Sequence, residues 1–301
     1  MIKRSFCGCF RDFCDKNMDK IDNISALIID MDGVLWHGNN PIDGLVDFFS
    51  TLRQLSLPFI LATNNASLTQ QQYIDKLDRM GVTVSMDEIL TSSMATATYL
   101  AKTVDADLRK VFVIGEQGLK QPLVEHGFIL TELYQVNQVS KGITDQGADI
   151  VVSGLDRKLT WDKLATATLN IKAGALFYAT NSDTTLPTEL GEVMGNGGTI
   201  AALEAVTGVK PISIGKPEPI LYQQALQKLG SSPENTIAIG DRLNTDILGA
   251  VNAGLRSILV LTGISSQADI ADVDYSPTWV MADIEAVGLA LHHNINKGLA
   301  K

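Results

Sequence analysis

Two carboxylates close an apolar segment near the start of the chain. Asp30 and Asp32 follow Ala26–Ile29, and Gly33 comes directly after them. Residues two apart in a strand lie on the same side, so we expect both carboxylates to face one way. They repel each other unless a cation joins them or one stays protonated. The pair suits an ionised nucleophile beside a protonated acid, although Asp-x-Asp-Gly is also an ordinary turn sequence.

A second pair of carboxylates follows another apolar segment. Thr236–Ile239 leads into Gly240-Asp241, and Asp246 comes five residues later. Mg²⁺ prefers oxygen ligands and usually takes one or two carboxylates together with waters and a substrate phosphate. Asp241 therefore fits a metal ligand. Asp246 is expected about one turn into the next helix, where capping backbone N–H groups and holding a metal-bound water are both open.

Two further turns carry a charged or polar side chain shortly after an apolar segment. Lys216 lies between Gly215 and Pro217, in a rigid turn that gives its ammonium group a fixed direction, although an ordinary surface lysine is the alternative. Thr63 and Asn64 follow a different apolar segment. Their hydroxyl and amide, together with N–H groups at the start of a following helix, can hydrogen-bond phosphate oxygens.

The elements that position these residues alternate along the chain. Short apolar runs alternate with longer amphipathic stretches, which predicts an α/β protein with a parallel sheet. The predicted strands are Ala26–Ile29, Pro58–Ala62, Val111–Ile114, Ile150–Ser153, Ala175–Ala179, Pro211–Ile214, Thr236–Ile239 and Arg256–Leu261. The predicted helices are Leu45–Leu55, Gln70–Met80, Met94–Lys102, Trp161–Lys172, Thr199–Val206, Ile220–Leu229 and Thr245–Ala253. Ala-Thr-Asn occurs after two of the strands, ending at Asn64 and Asn181, which suggests two sheets with similar polar turns.

In this order and spacing, the four chemical segments resemble the motifs of the haloacid dehalogenase-like superfamily. The resemblance narrows to NagD-like and p-nitrophenylphosphatase-like phosphatases and covers roughly Ile24 to Ala290. The segments that carry it are 30–35, Trp36-His37-Gly38, 41–44, Thr63-Asn64-Asn65, 180–183 and 215–219. Arg242 departs from the pattern, because near relatives often carry Asn directly after the Asp. Trp36 and His37 either contact the substrate or the cap, or simply pack.

The resemblance implies a Rossmann-like parallel-sheet core with an inserted smaller α/β cap domain. The core is expected at residues 23–103 and 197–292, and the cap at 104–196. Residues 1–22 are interpreted as a disordered N-terminal extension and 293–301 as a C-terminal tail.

The resemblance also implies the chemistry. Asp30 would attack phosphorus and form an aspartyl-phosphate, while Asp32 would protonate the leaving oxygen and later activate water. The expected cofactor is Mg²⁺, held by Asp30, the backbone carbonyl of Asp32 and Asp241, with Asp246 as a further metal-site residue.

Substrate contacts are expected around the phosphate and in the cap. The substrate-binding or phosphate-binding candidates are Thr63, Asn64, Asp183, Lys216 and Asn244. Substrate choice is expected in the cap, because the core contacts mainly the phosphate that all substrates share. The candidate specificity loop is 183–189, whose polar groups favour a small hydroxylated or nucleotide-like leaving group.

Composition and cysteine positions exclude several classes of protein. The 24 Lys and Arg against 34 Asp and Glu give a formal net charge of -10, which disfavours nucleic acid and anionic membranes. No apolar run approaches the roughly 18 residues of a membrane span. The three cysteines, Cys7, Cys9 and Cys14, lie near the start, so a disulfide framework is excluded. Gly195–Gly198 lacks the Gly-x-Gly-x-x-Gly spacing of a dinucleotide site and is interpreted as a hinge or helix start.

The sequence therefore predicts a cytoplasmic, Mg²⁺-dependent phosphatase for small phosphate monoesters such as nucleotide phosphates, sugar phosphates and p-nitrophenyl phosphate. A phosphotransferase or mutase that uses the same intermediate is one alternative. A non-catalytic binding protein of the same fold is another. A homodimer formed through the cap is a candidate assembly.

Overall fold

The computed structural model describes residues 21–136, 147–188 and 191–299. They form two compact units, and a parallel sheet is the main element of each. The described residues of the first unit are 21–61, Lys76–Glu88 and 225–299. Those of the second unit are Ala62–Asp75 and Ile89–Gln224, apart from the gaps given above. The predicted α/β class is confirmed.

Strands and helices alternate along most of the chain. The strands are β1 (Ala26–Ile29), β2 (Trp36–His37), β3 (Asn40–Pro41), β4 (Phe59–Thr63), β5 (Ile89–Thr91), β6 (Lys110–Ile114), β7 (Ile129–Leu130), β8 (Ile150–Ser153), β9 (Leu176–Ala179), β10 (Thr185–Thr188), β11 (Gly191–Met194), β12 (Ile212–Ser213), β13 (Thr236–Gly240), β14 (Arg256–Val260) and β15 (Trp279–Met281). The α-helices are α1 (Leu45–Gln54), α2 (Gln70–Arg79), α3 (Ser92–Thr103), α4 (Gln117–Glu125), α5 (Trp161–Lys172), α6 (Asn196–Thr207), α7 (Pro219–Leu229), α8 (Leu248–Asn252) and α9 (Ile284–Leu299).

The first sheet has β1 near its centre. The strand order is β15-β14-β13-β1-β4-β5, and β1 runs parallel to β13 and to β4. Ile29 pairs with Ile239 on one side and with Leu61 on the other. All four residues of β1 are buried. A parallel strand covered on both faces has an uninterrupted apolar sequence, which is why β1 was predicted with its observed bounds.

An amphipathic helix covers part of the first unit. Leu45, Phe48, Phe49 and Leu52 are the buried residues of α1, and their spacing of three and four puts them on one face. The helix packs against α9. No helix in the described part of the chain has both the length and the apolar character that crossing a membrane requires.

The second sheet lies in the second unit. Its order is β12-β9-β8-β6-β7, and each pair of neighbouring strands is parallel. Phe112, Val151, Phe177 and Leu203 belong to the apolar core that this sheet shares with its helices. Strands β10 and β11 form a separate antiparallel hairpin. The two sheets predicted from the repeated Ala-Thr-Asn turns are therefore present.

The predicted domain boundaries differ in detail from these units. The cap at 104–196 stays a prediction, and the second sheet also includes β12, which follows that interval. Most of the predicted N-terminal extension lies outside the described residues. Its last two residues are folded, however, because Ile21 is buried and Arg256 donates to the Asp22 carbonyl. The predicted C-terminal tail begins inside α9, which extends to Leu299.

Arg53 of α1 forms an ion pair with Glu88 and lies over the ring of Phe59 in the first unit. The guanidinium carbon of Arg53 lies 4.7 Å from the centre of the Phe59 ring. Its nitrogens donate to both carboxylate oxygens of Glu88, one of them at 2.9 Å, and the Ser85 N–H donates to Glu88 at 2.9 Å. Burial raises the pKa of Glu88, but the hydrogen bonds from Arg53 and Ser85 outweigh it and hold the pKa below its ordinary value of 4.5.

We expect Glu88→Gln to lower the free energy of unfolding by roughly 0.5 to 1 kcal/mol near neutral pH. A carboxyl group with a depressed folded-state pKa stabilises the fold above its ordinary pKa and loses that effect as it becomes protonated. The difference between wild type and variant should therefore shrink as the pH falls below 4.5. Urea denaturation at neutral and acidic pH measures it. Glu192→Gln, at an exposed position in β11, is the control, and an equal loss at both pH values would contradict the prediction.

Candidate active site

Three buried carboxylates converge in the first unit. Asp30, Asp241 and Asp246 each offer one oxygen, and these oxygens all lie within 4.8 Å of one another. Asp30 follows β1 and Asp241 follows β13, and these two strands are parallel neighbours. The Asp30 N–H donates to the Ile239 carbonyl at 2.8 Å, which continues the pairing one residue beyond β1. Adjacent parallel strands thus bring two of the carboxylates to the same sheet edge.

Backbone groups and glycines enclose Asp241. The N–H of Ile264 donates to its Oδ2 at 2.8 Å, and the N–H of Ser265 donates to its carbonyl at 3.0 Å. A Cβ on Gly263 would lie 1.8 Å from Oδ2, and one on Gly33 would lie 2.5 Å from it. Gly33 also has a φ of +81°, a conformation that side chains disfavour. The position of Asp241 therefore requires glycine in both neighbouring segments.

Asp246 lies in an unusual helical turn. The predicted helix over 245–253 begins instead as a π-helix, Leu243–Ile247, and continues as α8. The Oδ2 of Asp246 accepts from the Arg242 N–H at 3.1 Å. Both roles left open by the sequence are compatible with this geometry, because one oxygen binds a backbone N–H while the carboxylate belongs to the acidic cluster. Asn244 is exposed on the same turn, and its substrate contact stays a prediction.

The cluster fits a divalent cation. Three ionised carboxylates this close repel one another strongly when buried, and a cation between them removes that repulsion. Their oxygens are the hard ligands that Mg²⁺ and similar ions prefer. Among the described residues, Asp30, Asp241 and Asp246 are the acidic group with this geometry. The Asp32 carboxylate does not belong to this cluster. Metal binding by the backbone carbonyl of Asp32 stays a prediction.

Asp32 has a different environment from Asp30. Asp30 is 9% exposed, whereas Asp32 belongs to the exposed residues. The indole Nε1 of Trp36 donates to Asp32 Oδ1 at 2.8 Å. Asp30 is therefore shielded from water and lies beside two other carboxylates. Asp32 is open to solvent and accepts a hydrogen bond from an uncharged indole. The sequence left open whether Trp36 packs or acts in the site, and this hydrogen bond could not be deduced from it.

Four of the five predicted substrate-binding or phosphate-binding residues lie in the second unit, whereas Asn244 lies in the first. Lys216 is 2% exposed, and its Nζ donates to the Ala62 carbonyl at 3.1 Å. Thr63 is also buried, and its Oγ1 accepts from the Asn65 N–H at 3.0 Å. Lys216 is therefore no ordinary surface lysine. A buried ammonium group in a defined position is suited to binding an anion.

Asn64 joins three segments of the second unit. Its Oδ1 accepts from the Lys216 N–H at 2.8 Å, and its Nδ2 donates to the Lys216 carbonyl at 2.8 Å. Nδ2 also lies 3.2 and 3.3 Å from the two carboxylate oxygens of Asp183. A Cβ on Gly215 would lie 2.4 Å from Oδ1, so the turn approaches Asn64 closely. Asn64 positions the Lys216 turn, and its direct contact with phosphate stays a prediction.

A second asparagine network supports the first, and sequence reasoning missed most of it. Asn181 donates from Nδ2 to the Asn64 carbonyl at 2.8 Å. Asn196, the first residue of α6, donates from Nδ2 to the Asn181 carbonyl at 2.7 Å and accepts from Ser153 at 2.6 Å. The repeated Ala-Thr-Asn sequence gave a signal for Asn181. The glycines around Asn196 had suggested a helix start, and the structure confirms that part of the interpretation.

The candidate specificity loop is mainly a β-hairpin arm. Thr185–Thr188 forms β10 and pairs with β11, and Gly195 donates its N–H to the Thr184 carbonyl at 2.9 Å. Glu189 lies outside the described residues. The structure thus groups Asn64, Lys216 and Asp183 in one unit, while the acidic cluster belongs to the other.

Sequence families agree with this fold and site. A family of haloacid dehalogenase-like hydrolases matches residues 27–129, and a HAD-hydrolase-like family matches residues 213–287. Together they include the acidic cluster, Asn64 and Lys216. The chain belongs to the haloacid dehalogenase-like hydrolases and is an enzyme of that family, as the four motifs predicted.

Two individual relatives and one solved structure are similar to the chain over most of its length. An acid sugar phosphatase from Staphylococcus saprophyticus is 35% identical over 265 residues, which cover 88% of this chain and 97% of that protein. The 5'-nucleotidase YutF from Bacillus subtilis is 37% identical over 252 residues, covering 83% and 92%. The solved structure of NagD from Escherichia coli K-12 is 35% identical with a TM-score of 0.77, and the match covers 87% of this chain and 98% of that chain. The predicted resemblance to NagD-like proteins is confirmed.

We expect Gly263→Ala to weaken binding of a divalent metal ion about 10–100-fold, because the new methyl group displaces the Asp241 carboxylate. Titration calorimetry with Mg²⁺ and Mn²⁺ measures the affinity without relying on turnover. Gly288→Ala is the matched control, since a Cβ there would meet its nearest atom, Phe48 Cδ2, at 3.5 Å. Equal metal affinity of the two variants would show that Asp241 does not bind the ion.

We expect Asn64→Asp to lower the free energy of unfolding by about 1–3 kcal/mol, because a buried N–H donor is lost. The new carboxylate would also face Asp183 and the Lys216 carbonyl, and both repel it. KM for p-nitrophenyl phosphate should rise as the Lys216 turn loosens. Thermal unfolding and steady-state kinetics measure the two effects. Asn40→Asp, at an exposed position in β3, should change neither quantity, and the same result for Asn64→Asp would contradict the positioning role.

Proposed function

We propose that the chain is a Mg²⁺-dependent phosphatase that hydrolyses small phosphate monoesters through an aspartyl-phosphate on Asp30. The observation that carries the proposal is the buried cluster of Asp30, Asp241 and Asp246, with the solvent-exposed Asp32 two residues after Asp30. These residues all belong to the first unit. They would supply a metal site, a nucleophile and a separate acid.

The names of the relatives support the substrate class. The Staphylococcus saprophyticus protein is an acid sugar phosphatase, and the Bacillus subtilis protein is a 5'-nucleotidase. Both names describe hydrolysis of a phosphate monoester whose leaving group is a hydroxylated sugar or nucleoside. Small phosphorylated metabolites of these two kinds are therefore the substrates that we propose. The net charge of -10 supports the absence of nucleic acid and anionic membranes among its partners.

The reaction uses the two aspartates in succession. A carboxylate oxygen of Asp30 attacks phosphorus in line with the leaving oxygen, and the P–O bond to that oxygen breaks. Asp32 gives its proton to the leaving oxygen and becomes a carboxylate. It then takes a proton from water, whose oxygen attacks phosphorus and releases inorganic phosphate with free Asp30. The solvent exposure of Asp32 suits both proton transfers.

The remaining polar residues manage charge and position. Lys216 and Thr63 would bind the phosphoryl oxygens, and the buried ammonium group would offset the negative charge that these oxygens carry in the transition state. Asn64 keeps the Lys216 turn in place through two backbone hydrogen bonds.

The metal site has a clear electrostatic purpose. Asp30, Asp241 and the Asp32 carbonyl would hold Mg²⁺, with Asp246 beside them. When bound, the ion supplies positive charge that lets the anionic Asp30 approach an anionic phosphate.

Substrate selection belongs to the second unit in this proposal. Asp183 and the hairpin that follows it offer carboxylate, hydroxyl and backbone groups for a polar leaving group. A homodimer formed through the cap and a cytoplasmic location also stay predictions.

We expect Asp30→Asn to reduce kcat/KM for p-nitrophenyl phosphate with Mg²⁺ by at least about 10³-fold, because an amide cannot form the intermediate. Asp47→Asn, at an exposed position in the first turn of α1, should keep full activity. Equal turnover by wild type and Asp30→Asn would remove the catalytic proposal and favour a non-catalytic binding protein.

Labelled water separates hydrolysis from transfer to another hydroxyl. In water enriched in ¹⁸O, a phosphatase releases inorganic phosphate that has gained one solvent oxygen. A phosphotransferase or mutase instead moves the phosphoryl group to an added sugar or nucleoside without that label. Transfer as the main outcome would replace the proposed function by this alternative.

A further inference from the structure

Trp36 follows the segment that contains Asp30 and Asp32, and its side chain donates a hydrogen bond to Asp32. Trp36 is fully buried, and its Nε1 lies 2.8 Å from Asp32 Oδ1. Its carbonyl accepts from the Gly33 N–H at 2.9 Å, and its backbone pairs with Pro41 in the β2–β3 hairpin. Packing and main-chain bonds therefore fix the indole, so that it can hold an otherwise exposed carboxyl group in one orientation.

The chemistry of the indole N–H distinguishes the two oxygens of Asp32. An indole nitrogen only donates, so the oxygen that it binds must be an acceptor. When Asp32 is protonated, its proton is therefore expected on Oδ2, because Oδ1 is engaged by Trp36.

A cation lies against the indole ring. Lys76 Nζ is 4.1 Å from the centre of the Trp36 ring, well within the range of a cation–π contact. Lys76 is intermediate in exposure. Burial lowers the pKa of Lys76, and the charge of Asp32 opposes that shift, so Lys76 also interacts with Asp32 directly.

We propose that Trp36, with Lys76 against its ring, is a positioning residue that reserves Oδ1 of Asp32 and so assigns proton donation to Oδ2. The inference rests on the proposed function, in which Asp32 is the acid. In the step concerned, a carboxylate oxygen of Asp30 bonds to phosphorus while the P–O bond to the leaving group breaks. The electron pair of the broken bond goes to the leaving oxygen, and the Oδ2 proton bonds to that oxygen. Asp32 is left as a carboxylate whose Oδ1 accepts from Trp36.

The inference predicts a dependence on the leaving group. Phenyl phosphate and p-nitrophenyl phosphate are similar in size, but phenol is as weak an acid as a tyrosine side chain, whereas p-nitrophenol is much more acidic. Only the first substrate needs proton donation strongly. The ratio kcat/KM covers steps up to formation of the aspartyl-phosphate, so later hydrolysis does not affect it.

We expect Trp36→Phe to lower kcat/KM about 10–100-fold for phenyl phosphate and less than about 3-fold for p-nitrophenyl phosphate. Lys76→Met should lower the phenyl phosphate value selectively by about 2–5-fold. Trp279→Phe removes another buried tryptophan of the first unit and should not change the ratio of the two substrates.

Asp32→Asn separates failure of this inference from failure of the proposed function. A leaving-group-selective loss in Asp32→Asn but not in Trp36→Phe would overturn the role of Trp36 and leave the acid intact. No selective loss in Asp32→Asn would overturn Asp32 as the acid. An equal loss of kcat/KM for both substrates in Trp36→Phe would show that Trp36 has a packing role only and would overturn the proposal. If Trp36→Phe does not fold, Lys76→Met decides, and equal effects on both substrates would overturn the proposal.

Discussion

Repulsion among three buried carboxylates is the constraint on which the first unit depends. Asp30, Asp241 and Asp246 carry like charges within a few ångströms, in surroundings where such charges interact strongly. The chain holds two of them with N–H groups from Ile264 and Arg242. Gly33 and Gly263 leave room for Asp241, because a Cβ at these positions would lie 2.5 and 1.8 Å from its Oδ2. The cluster therefore suits a cation, and binding one would reduce the repulsion at this edge of the sheet.

Much of the architecture could be predicted from the sequence, because buried parallel strands have a continuous apolar pattern. Ala26–Ile29 and Ile150–Ser153 were predicted with their observed bounds. Shorter or more exposed elements lack that signal. Ile129–Leu130 has only two residues and is largely open, so nothing in the sequence distinguishes it from a loop. Helix α4 contains Pro122, a residue that argues against a helix interior.

In the candidate site too, the sequence predicted which elements carry the aspartates but not which side chains contact one another. Asp30 and Asp241 follow predicted strands, and the parallel sheet explains why they meet. The π-helical turn before α8 keeps the apolar spacing of an ordinary helix closely enough that the sequence predicted α-helix there. The bond between Trp36 and Asp32 depends on side-chain rotamers, about which spacing carries no information. Long-range polar networks such as Asn181 with Asn196 are hidden for the same reason.

The hydrogen bonds between Asn64 and Lys216 join residues 152 positions apart in the chain. They close a loop that contains nearly all of the second unit. Loop-closure entropy grows only slowly with length, so residues added or removed inside such a loop change its closure little. The lysine turn is fixed by its partner asparagine rather than by the number of residues between them. Evolution can therefore lengthen, shorten or rebuild the inserted sheet and its hairpin while the turn that carries the lysine stays the same.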